Sequence, residues 1–299
     1  MDKRKIKHAL SDPFYICQGV LKKISPLIKD DATYVKLRYF FCTHKRLHLD
    51  NPVTFNGKLQ WLKLYGHRPQ YTLLADKYAV KGIVAEMIGE QYVVPCLAVW
   101  DSPEQIDVAN LPQQFVIKAN FNSSGNKGVC KNKSNFDILS LRKQIENQYI
   151  GGYFWAGRDK QYRDIEKKVF AEKFLDDGRK GELQDYKFWC FNGEPKYMYM
   201  TNKGRDIYEN FYDMDFNPVM IDHGYPRQTP EYEKPAEFEE MKTLAAKLSQ
   251  GIPFVRVDFF DVAGQIYFGE FTFFDWGGFQ PFGGDWDEKL GKLIVLPSK

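Results

Sequence analysis

The sequence predicts an α+β protein: a mainly helical region over residues 1–95, then a mixed body built chiefly from antiparallel strand pairs. Three observations carry this expectation. Phe238, Met241, Leu244, Ala245 and Leu248 share one face of a helix over 236–250. Asn192-Gly193, inside the alternating run 184–201, is the strongest short hairpin signal in the chain. Residues 254–276, FVRVDFFDVAGQIYFGEFTFFDW, read as two strands joined by a tight turn at Ala263-Gly264.

In chain order, the turn Asn51–Gly57 leads into the helical pattern Leu59, Leu62, Leu64. Asp76 is expected to cap a helix running to about Ile88, and Gly89 to end it. Near residue 96 the character changes. Phe115-Val116-Ile117 reads as a short buried strand, followed by a loop rich in Asn, Ser and Gly and then by Val129-Cys130. Ile138, Leu141, Ile145 and Tyr149 predict a helix near 135–150, and Val169-Phe170-Ala171 another strand. The helix over 236–250 carries Glu237, Glu239 and Glu240 near its start and Lys247 near its end, in agreement with the helix dipole. Gly251 and Pro253 stop it.

A chain of 299 residues is long enough for two domains or one large one. Its 16% aromatic and 27% charged content makes it globular rather than disordered. A net charge of +3 with scattered basic residues argues against a nucleic-acid partner and weakly suits an anionic substrate. Cys17, Cys42, Cys96, Cys130 and Cys190 are odd in number and form no C-x-x-C, which points to reduced thiols and a cytoplasmic location. No apolar run is long enough to span a membrane, and no signal-peptide core is expected. Phe14–Lys29, with Lys22, Lys23 and Lys29, reads first as a surface helix and second as a peripheral contact with the inner face of a membrane.

The chemistry concentrates on the last hairpin. Arg256 and Asp258 fall on one face of its first strand; Glu270 and Thr272 share a face of the second. A turn of two or three residues sets Asp258 opposite Glu270 or one step away. Two carboxylates about 5 Å apart repel by roughly 3 kcal/mol at an effective dielectric near 20. A divalent cation turns that repulsion into a site, and oxygen-only ligands favour Mg²⁺ or Mn²⁺. An exposed acidic hairpin edge is the other reading of the same residues.

FVIKANFNSSGNKGV, at 115–129, places Lys118 at a strand end before a small-residue turn whose N–H groups can wrap phosphate oxygens. It matches neither a Walker A loop nor a dinucleotide fingerprint, and a plain hairpin loop fits as well. VFAEKFL, at 169–175, runs a strand through Glu172 into a connector. Asp185 and Lys187 share a strand face, as a solvated pair or as partners of a ribose and a phosphate. Asp213-Met214-Asp215 is a D-x-D triplet of the kind that holds a metal and a nucleotide sugar in many glycosyltransferases, here directly before a turn. His44 and His48 are four apart and could share a helix face, without a third metal ligand.

The order of these pieces resembles the ATP-grasp superfamily, and most closely its TupA-like branch from bacterial surface-polysaccharide gene clusters. NPVTFNGKLQWLKLY at 51–65, ADKYAVK at 75–81, FVIKANFNSSG, FVRVDFF and YFGEFTF carry the resemblance, over roughly residues 30–296. It implies two α+β lobes holding ATP between antiparallel sheets: a small lobe at 96–175 and a large lobe at 176–299, after the helical region. Lys77, on a helix, and Lys118 would hold the nucleotide phosphates under a lid at Asn122, Ser123, Ser124 and Gly125. Glu172, Lys173, Phe174 and Leu175 would form the hinge against adenine. Asp185 would reach the ribose and Lys187 the γ-phosphate. Asp258 and Glu270 would bind Mg²⁺, with Thr272 where many members place an Asn. Arg256 would stabilise the transferred phosphoryl group or an oxyanion. Gly57 stands where the branch leads one to expect an acidic residue.

The implied activity is an ATP- and Mg²⁺-dependent carboxylate–amine ligase, ADP-forming, working through an acyl phosphate. The implied acceptor is a uronic acid carboxyl of a capsule or O-antigen glycan or its precursor, and the donor an amino acid or other amine. A glycosyltransferase using Asp213 and Asp215, a sugar kinase on the same fold, and a non-catalytic nucleotide-binding partner are the competing expectations.

Overall fold

The computed structural model describes residues 14–121, 128–151, 153–178, 183–202 and 207–298. Helices Phe14–Ile24, Asp31–Thr43, Phe55–Tyr65, Pro69–Ala75 and Val80–Ile88 make up most of the described chain before residue 95. Two are capped as their sequences demand. Asp30 accepts from Thr33 N at 2.8 Å, and Thr54 Oγ1 accepts from Gly57 N at 3.1 Å. A Cβ at position 57 would stand 2.8 Å from that hydroxyl, which gives Gly57 a local reason in the cap itself. No helix among the described residues is long and apolar enough to cross a membrane.

Two expectations in this region need correction. Asp76 does not cap the helix that ends at Ile88. Its Oδ1 accepts from Tyr78 N and Ala79 N at 2.8 and 3.0 Å, which closes a turn over 77–79, and the helix starts at Val80. Lys77 therefore sits in a turn between two helices, not on a helix. His44 ends the helix Asp31–Thr43 with φ +58°, so it shares no helix face with His48. Gly89 does end its helix, at φ +115°, where a side chain would be strained.

The strands form two antiparallel sheets. The first contains β1 (Cys96–Trp100), β2 (Phe115–Ala119), β3 (Gly128–Cys130) and β4 (Val169–Lys173) in the order β1-β4-β2-β3. The second contains β5 (Asp185–Phe191), β6 (Glu194–Thr201), β7 (Glu209–Tyr212), β8 (Pro218–Val219), β9 (Phe254–Val262) and β10 (Gln265–Thr272) in the order β10-β9-β5-β6-β7-β8. Asn192-Gly193 (φ +50° and +86°) joins β5 to β6, and Ala263-Gly264 (φ +53° and +87°) joins β9 to β10, both with the left-handed pair a two-residue hairpin needs.

Side-chain alternation assigns the two faces of the second sheet. Phe188, Cys190, Val255, Val257 and Phe259 join the core that includes the first sheet and the helix Phe238–Leu248. Trp189, Phe191 and Phe254 face the other way, into a core with Phe55, Leu59 and Phe282. Phe55 stacks on Trp189 at 5.4 Å between ring centroids. Asp185 and Lys187 of β5, Arg256 and Asp258 of β9 and Glu270 of β10 stand on this second face.

Candidate functional site

The hairpin register sets Asp258 directly opposite Glu270, and Lys187 opposite Asp258 on the far side, so the three form one row across β5, β9 and β10. Arg256 lies one row along, between Trp189 and Thr272. A two-residue turn alone would not give this. It pairs Phe268 with Phe259, and strict alternation from there would turn Glu270 into the core. A β-bulge at Gly269 inserts one residue, so that Phe268 and Phe271 both face inward while Glu270 faces Asp258. A Cβ at 269 would lie 3.1 Å from Asp258 O and 3.2 Å from the Phe260 ring. Gly269→Ala is therefore expected to cost about 1–3 kcal/mol of stability and to misplace Glu270. Thermal unfolding and turnover check this together; a variant with wild-type values for both rejects the bulge as the device that aims Glu270.

Arg256 is the hub. Its Nε and Nη2 donate to the two Asp258 carboxylate oxygens, each at 2.7 Å. Nη2 also donates to Glu270 Oε1 at 3.2 Å, and Nη1 to Tyr199 OH at 3.1 Å and Asp275 Oδ1 at 2.5 Å. The other Asp275 oxygen accepts from Trp189 Nε1 at 2.8 Å and Tyr199 OH at 3.0 Å. Glu270 also takes Lys77 Nζ at 2.6 Å and, at 3.4 Å, the Thr272 hydroxyl. Burial opposes the Arg256 charge, but Asp258, Tyr199 and Asp275 hold its pKa well above the ordinary value. Burial pushes Asp258 up to about 6, outweighing Arg256 and Lys187, with the Glu270 charge adding to the rise. Burial also opposes the Glu270 charge, yet Lys77, Arg256 and Lys187 together bring it down to about 2.

A second ionic cluster lies on the first sheet. Glu172 is buried and accepts from both Lys118 and, at 3.0 Å, Lys81. Desolvation works to protonate it, but the two ammonium groups outweigh that and keep its pKa below the ordinary carboxylate value. Glu172 and Lys173 are still within β4: Glu172 pairs with Cys96 and Val116, and Lys173 N donates to Pro95 O at 2.9 Å. The connector proper starts at Phe174 and Leu175, with Lys131 Nζ 5.8 Å from the Phe174 ring centroid. Lys77 ties the sheets together, its backbone N donating to Asn120 O at 3.1 Å just past β2 while its ammonium reaches Glu270. Lys187 Nζ meets Asp185 Oδ2 at 2.8 Å, as their shared face requires. Asn122, Ser123, Ser124 and Gly125 lie outside the described residues.

Sequence reasoning passed over three members of these clusters. Lys81 is four residues after Lys77 in a motif already singled out. Asp275 is the only charged residue in FTFFDW, and a lone acid in an aromatic run is a signal of a buried partner. Tyr199 has no comparable signal. The Asp213 carboxylate is occupied in its own turn, accepting from Asp215 N at 2.9 Å and Asn217 N at 2.8 Å.

Two carboxylate oxygens, Asp258 Oδ2 and Glu270 Oε1, converge on one cationic nitrogen at 2.7 and 3.2 Å. That convergence and the all-oxygen donor set fit Mg²⁺, which uses one or two carboxylates and completes its shell with phosphates and water. No group of three or more His, Cys, Asp or Glu suited to a metal occurs among the described residues.

A family model described as TupA-like ATPgrasp matches residues 57–295. Among solved structures, D-alanine–D-alanine ligase from Helicobacter pylori matches at 15% identity and TM-score 0.43, over 82% of this chain and 68% of its own. The ligase of the same name from Bacillus anthracis, complexed with ATP, matches at 15% identity and TM-score 0.40, over 73% and 62%. The ATP-grasp ligase PsnB, complexed with a minimal precursor, matches at 10% identity and TM-score 0.40, over 73% and 59%. The chain thus spans about three fifths of the length of the last two. No curated protein matches it.

Proposed function

The chain belongs to the TupA-like ATP-grasp family, and on that premise we propose that it joins a carboxylate to an amine at the expense of ATP, releasing ADP and phosphate. The observation that carries this reading is the Asp258–Glu270 pair gathered around Arg256 on the second face of the hairpin. A carboxylate is a poor electrophile because its leaving oxide is very basic. In the proposed reaction its oxygen attacks the γ-phosphorus, ADP departs, and an acyl phosphate forms. The amine nitrogen then attacks the carbonyl carbon, phosphate leaves, and the nitrogen gives up a proton.

The chain's own residues supply charge and position. Lys77, Lys118 and Lys187 are the proposed phosphate ligands, each held near a carboxylate partner. Asp185 is proposed for the ribose, and Glu172, Lys173, Phe174 and Leu175 for the adenine side; on that side Phe174 and Leu175 are the residues past the strand. Asp258 and Glu270, with Thr272 beside them, would hold Mg²⁺, which supplies charge neutralisation between phosphate and carboxylate. All five Arg256 N–H groups are engaged, so a reacting oxyanion must displace a partner. The contact to Glu270 at 3.2 Å is the longest of the five and the one such an oxygen would replace. The proposed lobes follow the sheets: β1–β4 in the small lobe at 96–175, β5–β10 in the large lobe at 176–299, after the helical region 1–95.

The proposed acceptor is the carboxyl of a uronic acid in a surface polysaccharide or its precursor, and the donor an amino acid or similar amine; both come from the family's gene-cluster setting. A cytoplasmic enzyme suits such a precursor. Incubation with ATP, Mg²⁺, uronate-containing oligosaccharides and pooled amino acids is expected to yield a condensation product by mass spectrometry and equimolar ADP. AMP as the nucleotide product, or UDP-sugar consumption without ATP, rejects the reading.

A further inference from the structure

A cavity of about 390 Å³ opens beside Arg256, Glu270 and Thr272, and its wall includes Arg38, Asp159 and Trp276. Arg38 comes from the helix Asp31–Thr43, before the span that the family model matches. The charges in this wall are unequally satisfied. Glu270 holds Lys77 and Arg256, Asp275 holds Arg256, and Asp159 faces Lys63 at 3.0 Å. Arg38 has no carboxylate partner among the described residues. Its Nη1 donates to Ala156 O, its guanidinium lies 4.1 Å from the centroid of the Phe279 ring, and its Nε is buried without a hydrogen-bond partner. The stacking and the carbonyl fix the guanidinium plane and leave donors of its fork unused.

Resting on the ligase reading, we propose that Arg38 is the anchor for a substrate carboxylate bound in this cavity, next to the reacting centre. A guanidinium fork matches the two oxygens of a planar carboxylate, and a cation already stacked and half-desolvated loses little on pairing. The volume lies at the small end of ligand pockets, about 300–1,000 Å³. That admits a unit the size of one amino acid or one sugar, and an acid of either kind presents the same carboxylate.

Calorimetric titration of the full chain tests this, with and without AMPPNP and Mg²⁺. The probes are D-glucuronate against its methyl ester, and L-alanine against L-alaninamide. One of the two carboxylates is expected to bind, with its neutral analogue at least 10-fold weaker, which also tells sugar acid from amino acid. Arg38→Gln is expected to lose at least 10-fold for that carboxylate with AMPPNP affinity unchanged. Arg38→Lys, which keeps the charge without the fork, is expected to fall between. If Arg38→Gln also loses AMPPNP, the Arg38→Lys protein decides, since it must keep the nucleotide and bind the carboxylate more weakly. The proposal is overturned if neither carboxylate binds the wild-type protein, if the neutral analogue binds equally, or if the variants bind the carboxylate as the wild type does. Failure of the wild-type protein to bind AMPPNP with Mg²⁺ strikes the ligase reading instead, and the nucleotide-free titration still reads Arg38.

Discussion

Replacing Glu270 by Gln is expected to lower ATP turnover by at least about 100-fold while leaving the protein folded. Glu270 is the point where Lys77, Arg256 and Thr272 meet. The amide keeps the shape of the side chain and removes its charge, so a metal ligand of the proposed site becomes a weak neutral donor. The fold has reason to tolerate this. The Glu270 side chain is 30% exposed, so the Lys77 ammonium that it releases can be hydrated. Removing one of two facing carboxylates also relieves their mutual repulsion, which offsets the lost ion pair. Steady-state ADP release and thermal unfolding measured on one preparation separate the two effects. Turnover within threefold of the wild-type rate, at any Mg²⁺ concentration, would falsify the assignment of Glu270 to the metal. Arg38→Gln is expected to behave differently, keeping nucleotide binding and losing the carboxylate.

How far this site could be read from the sequence depends on the kind of pattern involved. Local patterns carried well. Asn192-Gly193 supplies two residues suited to φ > 0 and Ala263-Gly264 supplies one, the glycine, so both turns and the period-2 faces are legible from residue type. Phe238, Met241, Leu244, Ala245 and Leu248 are all buried on one helix, as their spacing requires. Non-local pairings did not carry. Gly269, a glycine inside a strand pattern, is the one local mark of a bulge, but it does not fix the register, and without the bulge the same two strands point Glu270 into the core. The pairing of Glu172 with Lys81 and Lys118 joins residues about 90 and 50 positions apart; the strand order sets β2 with Lys118 beside β4, and the helix Val80–Ile88 brings Lys81. Asp76 shows a local rule losing to a competitor. A helix cap and an Asx turn use the same carboxylate, and here the turn takes it, moving Lys77 off the helix and toward Glu270. The turn at Asp213 is the converse case, where the D-x-D spacing reflects backbone bonding by one aspartate.

Asp275→Ala is expected to destabilise the protein by about 3–5 kcal/mol, the cost of leaving a buried charge without one of its partners. At this chain length that lowers the melting temperature by roughly 5–8 °C. Asp275 is 2% exposed in its side chain and receives four donors: the Trp189 indole, the Tyr199 hydroxyl, the Arg256 guanidinium and the backbone N–H of Trp276. Burial disfavours its charge, but Arg256 and His223 outweigh this and hold its pKa below the ordinary value, so it is the charged form that accepts those bonds. Truncation strands all four donors in a space that water enters poorly. Asp275→Asn restores an acceptor without the charge and is expected to recover part of the stability. Activity is expected not to recover in step. Arg256 would still be held by Asp258, but the bond on Nη1 that sets the tilt of the guanidinium plane would be weaker, and the donor facing Glu270 would shift. If the Asn variant regained full turnover along with its stability, Asp275 would be a structural acid only. If it regained stability while turnover stayed depressed, the charge on Asp275 positions Arg256 for catalysis, an assignment made by no pattern visible in the sequence.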